Sequence, residues 1–152
     1  AKGSIRNVNK CGRPIELFYI VDHKEKFQTV APNDTFDIPG TYSIATIRVG
    51  RSAEATLFEA SRDANKFWYD ISVIPPNCGE GRSWEACSKG GTVKGFNVPV
   101  KVDVQHLANN NGYNCVSLNC AWQKCADAYL YPYDDVHTKS CHLNEAFVVT
   151  WC

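Results

Sequence analysis

The sequence predicts an all-β, disulfide-stapled β-sandwich with little helix. Three observations predict it. Apolar residues alternate with polar ones far more often than they recur at helical spacing. The alternating runs are short, and clusters of Pro, Gly and Asn separate them. Eight cysteines, at 11, 78, 87, 115, 120, 125, 141 and 152, form an even set of the density seen in oxidised extracellular domains.

Each element follows from its residues. Ile15–Val21 is short, apolar and β-branched, and residues 42–49 are rich in β-branched side chains. Residues 67–74 and Phe147–Trp151 combine aromatic and β-branched side chains. The clearest alternation spans residues 96–105: Phe96, Val98, Val100, Val102 and Val104 share one face, and Asn97, Pro99, Lys101, Asp103 and Gln105 the other. Pro99 lacks a donor, so this strand is expected at an edge or with its proline on a free side. Turns are expected at Ala31-Pro32-Asn33-Asp34, Pro39-Gly40, Pro75-Pro76-Asn77 and Asn109-Asn110-Asn111-Gly112. Residues 120–128 are a weak helix candidate. Residues 78–91 read as a Gly/Ser-rich loop that Cys78 and Cys87 would close locally. No repeat and no low-complexity tract interrupts the chain, so 1–152 is expected to be a single domain with a disulfide-closed insertion near 75–94.

Composition narrows the function classes. Of the 152 residues, 16 are Lys or Arg and 16 Asp or Glu, a balance that argues against a general nucleic-acid binder. No run approaches the roughly 18 apolar residues of a membrane helix. The chain begins at Ala1 and has no methionine, which reads as a mature form whose initiator has been removed; the cysteine density makes a secreted, extracellular location the expectation. The alternative to disulfides is a metal site, but there is no C-x2-C pair, and His23, His106, His137 and His142 are scattered. No metal is expected. No nucleophile elbow, phosphate loop or zinc-protease helix occurs, so no cofactor is expected. Asn33-Asp34-Thr35 is an N-glycosylation sequon, which makes Asn33 a candidate modification site.

Five motifs in order carry a resemblance to a known family. Val8-Asn9-Lys10-Cys11 opens the chain. Tyr69-Asp70-Ile71-Ser72 resembles Y-D-[VI]-S, and Gly95-Phe96-Asn97-Val98-Pro99 resembles G-F-N-[VL]-P. Residues 125–135 resemble C-P-D-A-Y-S-Y-P-x-D-D, and Cys152 closes a V-x-[FW]-C-like ending. Together they resemble the thaumatin-like, pathogenesis-related proteins, over nearly the whole chain. The resemblance implies a thaumatin-like sandwich and disulfides Cys11–Cys152, Cys115–Cys141 and Cys120–Cys125, out of the roughly hundred pairings that eight cysteines allow. Cys78–Cys87 remains, in a loop that looks like an insertion. A bridge from Cys11 to Cys152 closes nearly the entire chain and would contribute on the order of 5 kcal/mol in the loop-entropy model. Between Cys120 and Cys125 only Ala121-Trp122-Gln123-Lys124 remains of a long cysteine-rich segment. The chain therefore resembles small members that lack most of the second domain and one wall of the family's cleft.

The family's acidic cleft maps onto Arg51, Glu59, Asp70 and Asp134, with Lys94 where many members carry an aspartate. Lys94 and Arg51 would lower the pKa of neighbouring carboxylates. A glycosidase needs one protonated and one ionised carboxyl about 5 Å apart for retention or about 6.5–9.5 Å for inversion, which would be Glu59 with Asp70 or Asp134. The plainer alternative is a structural ion-pair network of Arg51, Glu59 and Asp70 across adjacent strands. Tyr129, Tyr131 and Tyr133 alternate; Tyr129 is expected in the core and Tyr133 exposed, where it could stack on a sugar. Trp68, Trp122 and Trp151 are expected to pack beside disulfides, and Trp84 to be the exposed indole or a loop anchor.

The resemblance thus implies a monomeric, secreted, pathogenesis-related antifungal protein of plant defence. Its expected partner is β-1,3-glucan or another cell-wall polysaccharide, bound without hydrolysis. Two alternatives stand beside it: a fungal elicitor or effector sensed by a plant surface receptor, and a weak endo-β-1,3-glucanase.

Overall fold

A computed structural model describes residues 2–78 and 81–152. Among the described residues eleven strands form two sheets: β1 (Ile5–Asn9), β2 (Ile15–Val21), β3 (Lys24–Val30), β4 (Thr35–Ile38), β5 (Ile44–Val49), β6 (Leu57–Arg62), β7 (Lys66–Ser72), β8 (Val100–Val104), β9 (Leu118–Cys120), β10 (Lys139–His142) and β11 (Phe147–Trp151). One sheet has the order β4-β1-β11-β8-β9 and the other β10-β7-β6-β5-β2-β3. Their facing sides bury an aromatic centre of Phe58, Phe67, Tyr69 and Phe147, with Trp151 and Tyr42 beside it. Trp151 is fully buried and donates from Nε1 to Asn7 Oδ1 at 3.0 Å, so its one polar atom is satisfied.

The first and last strands lie side by side, with β1 parallel to β11. That pairing brings Cys11 and Cys152 to a Cα–Cα distance of 4.8 Å, joined as a disulfide. Further disulfides join Cys78 to Cys87, Cys115 to Cys141 and Cys120 to Cys125. β2 and β3 form a hairpin over Asp22 and His23, both with positive φ (50° and 68°), which matches the strand twist.

Three expectations are corrected. The strand expected from Phe96 starts at Val100. Thr56 and Asn97 tie the preceding segment into a loop: Thr56 Oγ1 donates to Val98 O at 2.7 Å and Asn97 Nδ2 to Val49 O at 2.8 Å. Pro99 therefore lies outside the ladder, and its carbonyl accepts from the Cys152 N–H; β8 itself is internal, between β11 and β9. Residues 120–128 are not helical. The α-helix among the described residues is α1 (Trp84–Ser88), inside the segment read as a loop. Ser83 caps its start by accepting from the Ala86 N–H, and Lys89 ends it in the left-handed conformation.

The inserted loop does not stand free. Trp84 Nε1 donates to Gln123 O at 3.2 Å, Lys124 pairs with Glu85 at 2.9 Å, and Arg82 stacks 4.6 Å from the Tyr133 ring centre. The Cys78–Cys87 loop is thereby locked to the Cys120–Cys125 loop. Trp84 is half-buried as the anchor, and Trp122, expected to pack, is 57% exposed.

Candidate functional site

Alternation along each strand sends one row of side chains to the core and the next to the outer face. On the outer face of the six-stranded sheet, β5 contributes Ile44, Thr46 and Arg48, β6 contributes Leu57, Glu59 and Ser61, and β7 contributes Lys66, Trp68 and Asp70. The register sets Thr46 opposite Glu59 and Glu59 opposite Asp70. These three, with Ser61, Trp68 and Thr138, line an open hollow of about 180 Å³.

Its electrostatics run against the expected pattern. Burial pushes the Asp70 carboxyl up to about 9, and the Glu59 carboxylate beside it, within hydrogen-bond reach, pushes the same way. Asp70 Oδ1 is buried and meets no donor from the protein. No Lys or Arg is among the residues lining the hollow. The upward shift favours the protonated, hydrogen-bond-donating form of Asp70.

The other expected site residues lie elsewhere. Arg51 is exposed and makes a bidentate pair with Glu16, at 2.8 and 3.3 Å, while its guanidinium covers the Phe27 ring at 3.8 Å. Lys94 is exposed, and its backbone N–H donates to Glu54 Oε1. The expected lowering of carboxylates by these two cations therefore does not operate at Asp70, whose carboxyl is raised instead. The alternative network of Arg51, Glu59 and Asp70 does not form either, because Arg51 is held by Glu16.

Asp134 is only 8% exposed and serves its own turn. Its Oδ2 accepts from the Leu130 N–H at 3.2 Å and its Oδ1 lies 3.4 Å from His137 Nε2. Tyr133 is 52% exposed, beside the inserted loop. Tyr129 is half-buried rather than in the core: its backbone bonds Ile71 and Val73, and its hydroxyl meets Thr138, a residue of the hollow.

Sequence reasoning missed Thr46, Ser61, Trp68 and Thr138 as site residues. For Trp68 and Ser61 a signal existed, since each lies two residues from Asp70 or Glu59 and so shares its face. Trp68 is held by Nε1 donating to Asp63 Oδ2 at 3.1 Å, which turns the indole into a wall of the hollow. For Thr138 there was none, because it arrives from the segment before β10.

No protein-family model and no curated protein matches this sequence. Solved structures share its fold, among them two that cover nearly the whole chain. The protein elicitor MoHrip2 from Magnaporthe oryzae superposes with a TM-score of 0.62 at 15% identity, over 99% of this chain and 98% of that one. The thaumatin-like xylanase inhibitor TLXI superposes with a TM-score of 0.63 at 13% identity, over 97% and 98% respectively. The chain thus has a thaumatin-like fold.

Proposed function

We propose that the protein is a secreted, non-enzymatic binding protein of the plant–microbe boundary, which takes a cell-wall β-1,3-glucan at the Glu59–Asp70 hollow. The observation that carries this is geometric: Asp70, with a buried Oδ1 that no protein donor meets, stands opposite Glu59 in an open hollow walled by the Trp68 indole. Such a pair donates to and accepts from sugar hydroxyls, and an indole stacks on the apolar face of a pyranose. Hydrolysis fits the geometry poorly. A glycosidase spreads its two carboxyls about 5 Å or more apart, across the bond to be cut. Here they are cross-strand neighbours in hydrogen-bond reach of each other, on one wall. Asp134, the other candidate partner, is committed to its own turn.

Co-sedimentation with insoluble β-1,3-glucan tests this. The protein should pellet with the polymer, Glu59→Ala with Trp68→Ala should lose at least tenfold in affinity, and Arg51→Ala should pellet like the wild type. A double variant that pellets unchanged removes the hollow from the proposal.

A second reading, an elicitor recognised at a plant surface, draws on a different region. The locked pair of disulfide loops carries exposed Trp122 and Tyr133, and aromatic side chains of this kind anchor protein contacts. The full-length likeness to an elicitor is compatible with it. Leaf infiltration separates the two: Trp122→Ala with Tyr133→Ala should abolish cell death under this reading and leave glucan pelleting intact.

A further inference from the structure

We propose that Asn33 carries an N-linked glycan, and that this glycan stands over the two open edges of the sandwich. Asn33-Asp34-Thr35 meets the acceptor pattern, and all three residues are exposed. Asn33 sits in a tight turn with φ 65°, in which the Asp34 N–H donates to Ala31 O at 3.0 Å. Its backbone N–H is held by Asn9 O at 2.8 Å and its Oδ1 accepts from Lys10 Nζ at 3.2 Å. The turn is thus rigid while the amide side chain lies at the surface.

Its place in the fold gives the modification a physical role. The turn joins β3, the last strand of the six-stranded sheet, to β4, the last strand of the five-stranded sheet, and the two strands approach one another. Both free edges therefore lie on the same side of the sandwich. β3 is seven residues long and exposed up to Thr29. The hairpin register leaves the N–H and C=O groups of Glu25 and Phe27 pointing away from β2, and Phe27 is 41% exposed. A long exposed edge of this kind invites pairing with another chain unless something covers it. Lys24 and Lys26 oppose such pairing only in part, because Glu25 lies between them and can pair with a lysine of a second copy.

The transfer is balanced. A bond forms between Asn33 Nδ2 and the anomeric carbon of a lipid-diphosphate-linked oligosaccharide, and the anomeric C–O bond to the diphosphate breaks. The diphosphate leaves with the electron pair, and the amide nitrogen gives up one proton.

Secretion from a eukaryotic host followed by intact-mass measurement tests the site. The protein should exceed the mass of the bare chain, the excess should be lost on treatment with a glycan-releasing amidase, which leaves aspartate at position 33, and it should be absent in Asn33→Gln and Thr35→Ala but persist in Thr35→Ser. The bare-chain mass, in a host that modifies a control sequon, overturns the site. Sedimentation velocity tests the shielding. Deglycosylated protein and Asn33→Gln should shift from monomer toward oligomer as concentration rises, while the glycosylated form stays monomeric. Identical sedimentation of all forms overturns the shielding.

Discussion

Two carboxylate sites share the outer face of the six-stranded sheet and behave in opposite ways. Glu16, near the edge formed by β2 and β3, accepts a bidentate pair from Arg51, and that hydrogen bonding holds its carboxyl below the usual range. Asp70, between β6 and β10, has Glu59 on one side and no cation, and burial raises its carboxyl. Both sites contain an acid the sheet could have paired with the same arginine. Arg51 follows β5 by two residues, at the end where Gly50 N–H donates to Glu16 O, so it meets β2 before it could reach the middle of β6. Position along the ladder, rather than the set of charges on the face, decides which carboxyl is pushed up and which is held down.

The largest expected effect is on the pH dependence of stability. Below about pH 4 Asp70 is protonated in both the folded and unfolded chain. Between there and about 9 only the folded chain keeps the proton, so stability falls as pH rises, by up to about 1.4 kcal/mol per pH unit. Asp70→Asn should flatten this slope, with a higher urea midpoint than the wild type at pH 8 and little difference at pH 4. Equal slopes in the two proteins would mean that Asp70 is not held in its neutral form.

A smaller effect converts one site into the other. Thr46→Lys places an ammonium opposite Glu59. It should lower the Asp70 titration by about one unit or more, read from its side-chain carboxyl carbon by NMR. An unmoved titration would show that the lysine turns away from the hollow into solvent.

The smallest effect belongs to the exposed pair. Glu16→Gln should lower the melting temperature slightly in dilute buffer, and about 1 M salt should erase the difference by screening. A difference that survives salt would assign the role of Arg51 to its stacking on Phe27 instead.

Legibility followed the same physics. β2 and β11 were readable to the residue because their side chains alternate or run apolar beside a buried core. β3 was missed because Lys24-Glu25-Lys26-Phe27-Gln28-Thr29 is exposed on both faces and shows no pattern; only its partner makes it a strand. The start of β8 was misplaced because the alternation from Phe96 is real, yet Thr56, 41 residues away, captures Asn97. Helix α1 had a local signal, Ser83 before it and Gly90-Gly91 after it, that the cysteine spacing masked. At the site, Glu59 and Asp70 share a cross-strand position because β6 and β7 pair in register. Arg51 and Asp134 were placed with them, although each had a closer partner in Glu16 or in its own turn.

The residues alone determined the all-β class, since period-two alternation and turn chemistry are local properties of a chain. The charge state of the hollow was decided only by the tertiary structure. A carboxyl responds to water and charges within a few ångströms, and strands far apart in sequence bring those neighbours or leave them out.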